Sequence, residues 1–252
     1  MSVVETAVDG GVGRIFLNRP EQMNAITIEL GRELEEAIRT LGTRTDVSVV
    51  LVRGRGGNFC VGGDFGEVER LRASGPAALQ PLFDNFGAAC AAISEVDAPV
   101  VAVVEGYAMA GGFEFMQAAD IVLVRHDAKI ADNHSNFGQL PGGGGSQRLP
   151  RLVGRQRALG HILSGDRLSG RDAITWGIAY RGFEPEEFDS GVEDFVARLV
   201  EKRRDSLVGI KRLVGAGSTM SLSDGLALER DAVVAHIAGE AGGSGVSSFN
   251  SR

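Results

Sequence analysis

Three short stretches, "VSVVLVRG" (47–54), "APVVAVVEG" (98–106) and "DIVLVR" (120–125), are almost unbroken runs of β-branched and other apolar residues. A run with no alternation has no polar face to give to water, so it reads as a strand covered on both sides. Segments with helical spacing lie between these runs, at about 66–73 and 76–94, with a short one after Gly111. Strands that alternate with helices predict a mainly parallel sheet with helices packed on it, an α/β core. Residues 3–8 and 13–17, split by "DGG", read as an opening hairpin. Thr27 stands where it would cap a helix whose apolar stripe is Ile28, Leu30, Leu34, Ala37, Ile38 and Leu41.

After Gly145 the pattern turns helical. The spacing predicts helices over 146–152, 155–164, 169–176, 186–204, 206–214 and 221–238, with only 177–183 strand-like. This suggests a core over 1–190 and a C-terminal helical region over 191–252. The 252 residues, 43% of them hydrophobic, suffice for one large core. The net charge of −7 argues against nucleic acid or a membrane surface as partner, since both attract a basic face. It leaves room for an anionic small ligand, which a few arginines or a helix N-terminus can hold. No apolar run approaches the roughly 20 residues of a membrane span. The opening "MSVVETAVDGG" has acids where a secretory signal carries basic residues, so a cytoplasmic location is expected. Cys60 and Cys90 are too few for a disulfide framework and are expected as free thiols. His126, His134, His161 and His236 have no metal-ligand spacing, and no metal site is expected.

Two glycine-rich stretches follow buried runs. In "NFCVGGDF" (58–65) the glycines permit a tight turn with outward-facing amides, which either hold an anion or merely lead into a helix capped by Asp64. In "EGYAMAGGFEF" (105–115) Gly111 opens a helix and Glu114 lies in its first turn, on the same face. Glu114 either complements the helix dipole or looks, with the Gly111 amide, into a shared space. Ligands of open α/β sheets sit at the carboxyl ends of the strands, so two such ends could grip one carbonyl oxygen and stabilise a thioester enolate.

These stretches, with "LNRPEQMNAIT" (17–27), "LPGGGGSQRLPRLVG" (140–154), "ILSGDRLSGRDAITWGIAY" (162–180) and the tail "SGVSSFNSR" (244–252), resemble in order the signature blocks of the crotonase superfamily, the enoyl-CoA hydratase/isomerase fold. The resemblance covers nearly the whole chain. It implies a crotonase-like ββα-superhelix core carrying an acyl-CoA site and a C-terminal helical region that trimerises. The substrate would be an acyl-CoA, with coenzyme A part of the substrate and no further cofactor. The Gly63 and Gly111 amides would form the oxyanion hole. The Val61 carbonyl would face the adenine, and Gly62, Asp64 and Phe65 would belong to the same coenzyme A turn. Met23, Asn24 and Ala25 would belong to the segment lining the coenzyme A channel. Phe249 and Arg252 would reach a neighbouring subunit's coenzyme in a homotrimer or dimer of trimers. Glu114 falls on one of the family's two catalytic glutamates.

The resemblance breaks at the second glutamate. Counting forward from Glu114 or back from Pro141 reaches His134, with Asn133-His134 in place of the family's Pro-Glu. One reading makes Glu114 the base toward water or the α-proton and His134 the complementary acid, its ordinary pKa lying close to neutrality. The other makes His134 a polar wall residue hydrogen-bonded by Asp132 or Asn136. Gln22 also departs, standing where many relatives carry lysine. The leading expectation is an enoyl-CoA hydratase-like lyase. The alternatives are an enoyl-CoA isomerase, a C–C bond hydrolase of β-diketones and a weakly catalytic acyl-CoA-binding protein. The hydrolase usually adds an acid shortly after the histidine, and "GQLPGGGG" (138–145) has none.

Overall fold

The apolar runs become the centre of a sheet. The computed structural model describes residues 2–239 and Gly242. The chain runs β1 (Val4–Asp9), β2 (Val12–Leu17), α1 (Ile28–Gly42), β3 (Val49–Gly54), α2 (Phe65–Ala73), α3 (Pro76–Glu95), β4 (Val100–Val104) and β5 (Tyr107–Met109). It continues through α4 (Gly111–Ala118), β6 (Ile121–Arg125), β7 (Lys129–Ala131), α5 (Gly145–Val153), α6 (Arg155–Ser164), β8 (Leu168–Ser169), α7 (Gly170–Thr175) and β9 (Arg181–Phe183). It ends in α8 (Phe188–Val200), α9 (Arg204–Gly217) and α10 (Leu222–Ala238). Thr27 caps α1 as expected, its hydroxyl accepting the Leu30 N–H at 3.1 Å.

The larger sheet has the order β1-β2-β3-β4-β6-β9. Only the β1–β2 hairpin is antiparallel, and the other neighbours pair parallel. Alternate residues of the buried strands serve two faces. Val50, Val52, Val100, Ala102, Val122 and Val124 pack with α1 and α3 residues such as Leu34, Ile38 and Ile93. Val49, Leu51, Val101, Val103 and Leu123 pack with Phe188, Val192, Phe195 and Val196 of α8. That is why these strands carry no polar alternation.

The chain divides into two compact units, Met1–Val200 and Glu201–Arg252. The sequence-based division at 190 falls inside α8, whose apolar side covers the second sheet face, so that helix stays with the first unit. The helix expected over 186–204 is interrupted, with α8 ending at Val200 and α9 starting at Arg204. Within the second unit α9 packs on α10.

A second sheet, β5-β7-β8, has no counterpart in the sequence reading. Its strands are two or three residues long, too short to show a period. Its role is positional. The turn after β3 runs alongside β5: the Cys60 N–H donates to the Tyr107 carbonyl at 3.0 Å, and the Cys60 carbonyl accepts the Met109 N–H at 2.9 Å. The two glycine-rich stretches are thereby zipped together. The approach is close enough that a Cβ on Gly112 would lie 2.1 Å from the Cys60 oxygen. Gly112→Ala is expected to cost about 3 kcal/mol or more, since the clash is with backbone that cannot swing away. The denaturant midpoint against wild type measures it.

Candidate active site

The two zipped turns open onto one cavity of about 340 Å³. Val61, Gly63 and Phe65 line it from the first turn, and Ala110, Gly111 and Glu114 from the second. Gly62 sits behind them at φ 93°, where a Cβ would lie 2.7 Å from Ala110 Cβ and 3.2 Å from the Gly111 nitrogen. Only glycine fits there. Neither the Gly63 nor the Gly111 amide donates a hydrogen bond among the described residues. Ala110, the residue before α4, is held at φ 47°, ψ −118°. Such a conformation costs a non-glycine residue on the order of 1–3 kcal/mol and persists only where its surroundings enforce it.

Glu114 is 1% exposed yet forms part of the cavity wall. Its Oε1 accepts the Gly143 and Gly145 N–H groups, each at 2.8 Å. The glycine run before α5 is thus a two-amide cradle for a carboxylate, with Gly142 and Gly143 also lining the cavity. Glu114 Oε2 is left to face His134 Nε2 at 3.8 Å. That is too far for a direct hydrogen bond, but one oxygen atom at about 2.8 Å from each can lie between them. Burial pushes the Glu114 pKa up from its ordinary value. The Gly145 and Gly143 amides and His134 offset this only in part.

His134 opens a short 3-10 turn after β7 and is half-buried. Its Nδ1 lies 2.7 Å from Asp132 Oδ1. Asn136, the other candidate partner, instead reaches the Gly165 carbonyl. Burial alone would lower the His134 pKa, but the Asp132 hydrogen bond and the charges of Asp132 and Glu114 outweigh it and raise the value.

Apart from Glu69 and Arg72 of α2 and Asn133 and Gln139, the rest of the cavity wall is mostly apolar. Leu79, Leu82, Phe83 and Phe86 of α3 line it with Ile26, Val68 and Leu140. Phe65, 63% exposed, packs on Phe137 with ring centroids 5.3 Å apart. Sequence reasoning missed this α3 wall, although Leu79, Leu82, Phe83 and Phe86 share the spacing of one helix face. It also missed the Gly143–Gly145 cradle, because backbone donors carry no side-chain signature.

Other expected residues lie elsewhere. Met23 is 42% exposed, Ala25 is buried, and neither lines the cavity. Asn24 between them is buried and ties the turn together, its amide donating to the Arg55 and Asn58 carbonyls. Asp64 caps α2 through the Glu67 N–H at 3.0 Å and pairs with Arg19 at 2.9 Å. Phe249 and Arg252 lie outside the described residues. Cys60 and Cys90 are buried free thiols whose pKa values burial pushes up to about 12. No cluster of potential metal ligands occurs among the described residues, and no helix there is long and apolar enough to cross a membrane.

A model of the Enoyl-CoA hydratase/isomerase family matches residues 7–252. The chain belongs to that family. It is 29% identical over 233 residues to the 1,2-epoxyphenylacetyl-CoA isomerase of Escherichia coli, covering 92% of this chain and 88% of that one. It is 30% identical over 220 residues to the mitochondrial enoyl-CoA hydratase of Pongo abelii, covering 87% and 74% respectively. A crystal structure of an enoyl-CoA hydratase from Polaromonas matches with a TM-score of 0.94 at 27% identity, covering 98% and 96%. The crotonase fold expected from the sequence is the fold of this enoyl-CoA hydratase/isomerase family member.

The raised Glu114 pKa has a stability consequence. Between the unfolded value and the higher folded one, the native state binds more protons, so stability rises as pH falls through that window. Above the window the buried carboxylate is ionised and its desolvation opposes folding. Glu114→Gln keeps an acceptor for the two glycine amides and removes the charge. The variant is therefore expected to melt no lower than wild type at neutral pH, with its relative advantage shrinking as pH falls through the raised Glu114 value. Thermal melts from pH 4 to 8 follow the difference.

Proposed function

We propose that the chain is an acyl-CoA enzyme of the enoyl-CoA hydratase type, adding water reversibly across a 2-enoyl thioester. The observation that supports this is Glu114 Oε2 and His134 Nε2 facing each other at 3.8 Å in a cavity that Gly63 and Gly111 also line. In this reading the thioester oxygen accepts the Gly63 and Gly111 amides, each worth about 3–4 kcal/mol as charge develops on it. The substrate water lies between the carboxylate and the ring.

Glu114 takes a proton from this water as the oxygen bonds to the β-carbon. The electron pair of the C=C bond moves to the thioester, giving an enolate. The enolate collapses, and the α-carbon takes the Nε2 proton of the His134 imidazolium. Glu114 ends protonated and His134 neutral, and one proton passed between them through solvent restores both. Written this way the reaction needs no cofactor beyond the coenzyme A of the substrate. A cytoplasmic setting suits it, where Cys60 and Cys90 stay reduced.

Isomerisation is the second reading, favoured by the likeness to the E. coli isomerase. The same base and acid would then serve two carbons of one substrate with no water consumed. Product analysis separates the two. Hydration adds one water's mass, whereas isomerisation leaves the mass unchanged and, in deuterated water, exchanges the α-hydrogen. Turnover of a free β-diketone, or tight acyl-CoA binding with neither reaction, would overturn both. Glu114→Gln and His134→Ala should each lower kcat by roughly 100-fold or more, with acyl-CoA Kd changed far less. Full activity in Glu114→Gln would sink the proton-transfer scheme.

Self-association as a homotrimer or a dimer of trimers forms part of the same reading. α10 buries none of its residues, leaving Leu222, Leu226, Val233, Val234 and Ile237 exposed within the second unit. Such a face calls for cover. Light scattering on the purified chain should return three or six times its 26.5 kDa, and a monomer would refute the assembly.

A further inference from the structure

We propose that Asp132 is a positioning residue, holding the His134 ring by Nδ1 so that Nε2, facing Glu114, is the nitrogen that gains and loses the working proton. This rests on the reading of His134 as the acid, but its geometry stands apart from it. Asp132 follows β7 and is fully buried. Its own backbone is anchored, the N–H donating to His161 Nε2 at 3.2 Å. His161 therefore carries its hydrogen on Nδ1 and is neutral, and burial lowers its pKa. Phe113 and Trp176 meet the His161 ring edge-on at 5.5 and 5.7 Å and hold that anchor still.

With its backbone fixed, Asp132 offers Oδ1 to His134 Nδ1 at 2.7 Å, the length of a charge-assisted hydrogen bond. Oδ2 has no partner among the described residues. A fully buried carboxylate with one unsatisfied oxygen is a costly thing to keep. Its side-chain partner among the described residues is a ring whose other nitrogen faces a second buried carboxylate in the cavity. When His134 is neutral, Nδ1 keeps its hydrogen on the Asp132 bond and Nε2 is bare. When it is charged, the added proton is on Nε2, toward Glu114. An untethered imidazole would divide between two tautomers and several ring orientations.

The other ionisable groups around the site do not compete for the ring. Arg148 of α5 donates to the Gly143 carbonyl at 2.6 Å. Glu69 and Arg72 of α2, which line the same cavity, pair with each other at 2.7 Å. His161 of α6 is engaged with the Asp132 backbone. Asp132 and Glu114 are left as the carboxylates beside the ring nitrogens.

The test is Asp132→Asn and Asp132→Glu, read three ways: the pH profile of kcat, acyl-CoA Kd, and the nitrogen chemical shifts of labelled His134 in the substrate-free protein. In wild type the neutral ring should be the Nδ1–H tautomer. As pH rises through the His134 value the acid form is lost and kcat falls. In Asp132→Asn that fall should begin at lower pH, and kcat near pH 8 should drop at least about tenfold, with Kd within about threefold and partial recovery in Asp132→Glu. A wild-type Nε2–H tautomer would overturn the proposal, as would a His134 titration unmoved in Asp132→Asn. The wild-type spectrum decides the matter even if a variant fails to fold. It also does so if no enoyl thioester is turned over, which separates failure of this inference from failure of the hydratase reading.

Discussion

The hydrogen bonds that zip the turn after β3 to β5 are the constraint on which the rest of the site depends. Through them the Cys60 carbonyl lies against the Gly112 backbone, and two chain segments that come from different strands become one wall. The Gly63 amide comes from one segment. The Gly111 amide and Glu114 come from the helix that starts on the other. Backbone bonds carry most of this arrangement, with the Asn58 side chain adding one more by accepting the Tyr107 N–H at 3.2 Å, so it tolerates little change in backbone spacing. The positive φ of Ala110, the residue before α4, is its local cost.

The position of Glu114 places two demands on that wall. A carboxylate almost wholly buried must be neutralised or hydrogen-bonded. The fold meets the demand from the far side, where Gly143 and Gly145 before and at the start of α5 both point their N–H groups at Oε1. One oxygen is thus held by the cradle and the other faces His134. In the cavity wall Glu114 and His134 stand where α4, the His134 turn and the glycine run meet, Glu69 and Arg72 come from α2, and α3 supplies Leu79, Leu82, Phe83 and Phe86. Such a space suits a ligand with a polar, reacting end and an apolar body.

How much of this can be read from the sequence depends on how much of each feature side chains carry. The buried strands are legible because Val49 through Leu51 and Val100 through Val104 leave no polar face, and the structure shows helices on both sides of them. Thr27 is legible because a cap is a side-chain device. The β5-β7-β8 sheet is not, since strands of two or three residues have no period to detect. His134 is found by counting along a resemblance, but its partner is not. Asp132 and Asn136 are equally near in sequence, and only the direction of the chain leaving β7 chooses between them. The Glu114 cradle is invisible in principle, because glycine amides look alike wherever glycine occurs.

The histidine that breaks the family pattern is better understood together with its neighbour. Two carboxylates brought close in a dry site cannot both stay ionised, so such a pair tends to hold one proton between them and a net charge of −1. Replacing one of them by imidazole alone would leave either a neutral pair or a lone carboxylate facing a neutral ring. The Asp132 carboxylate changes that balance. With His134 charged, Asp132, His134 and Glu114 again sum to −1 and again hold one mobile proton, now on Nε2. Burial pushes Glu114 upward and the two carboxylates push His134 upward, so both titrate above their ordinary values. On the proposed reading, the substitution preserves the charge and the proton count of a two-carboxylate site and changes only the atom from which the proton leaves.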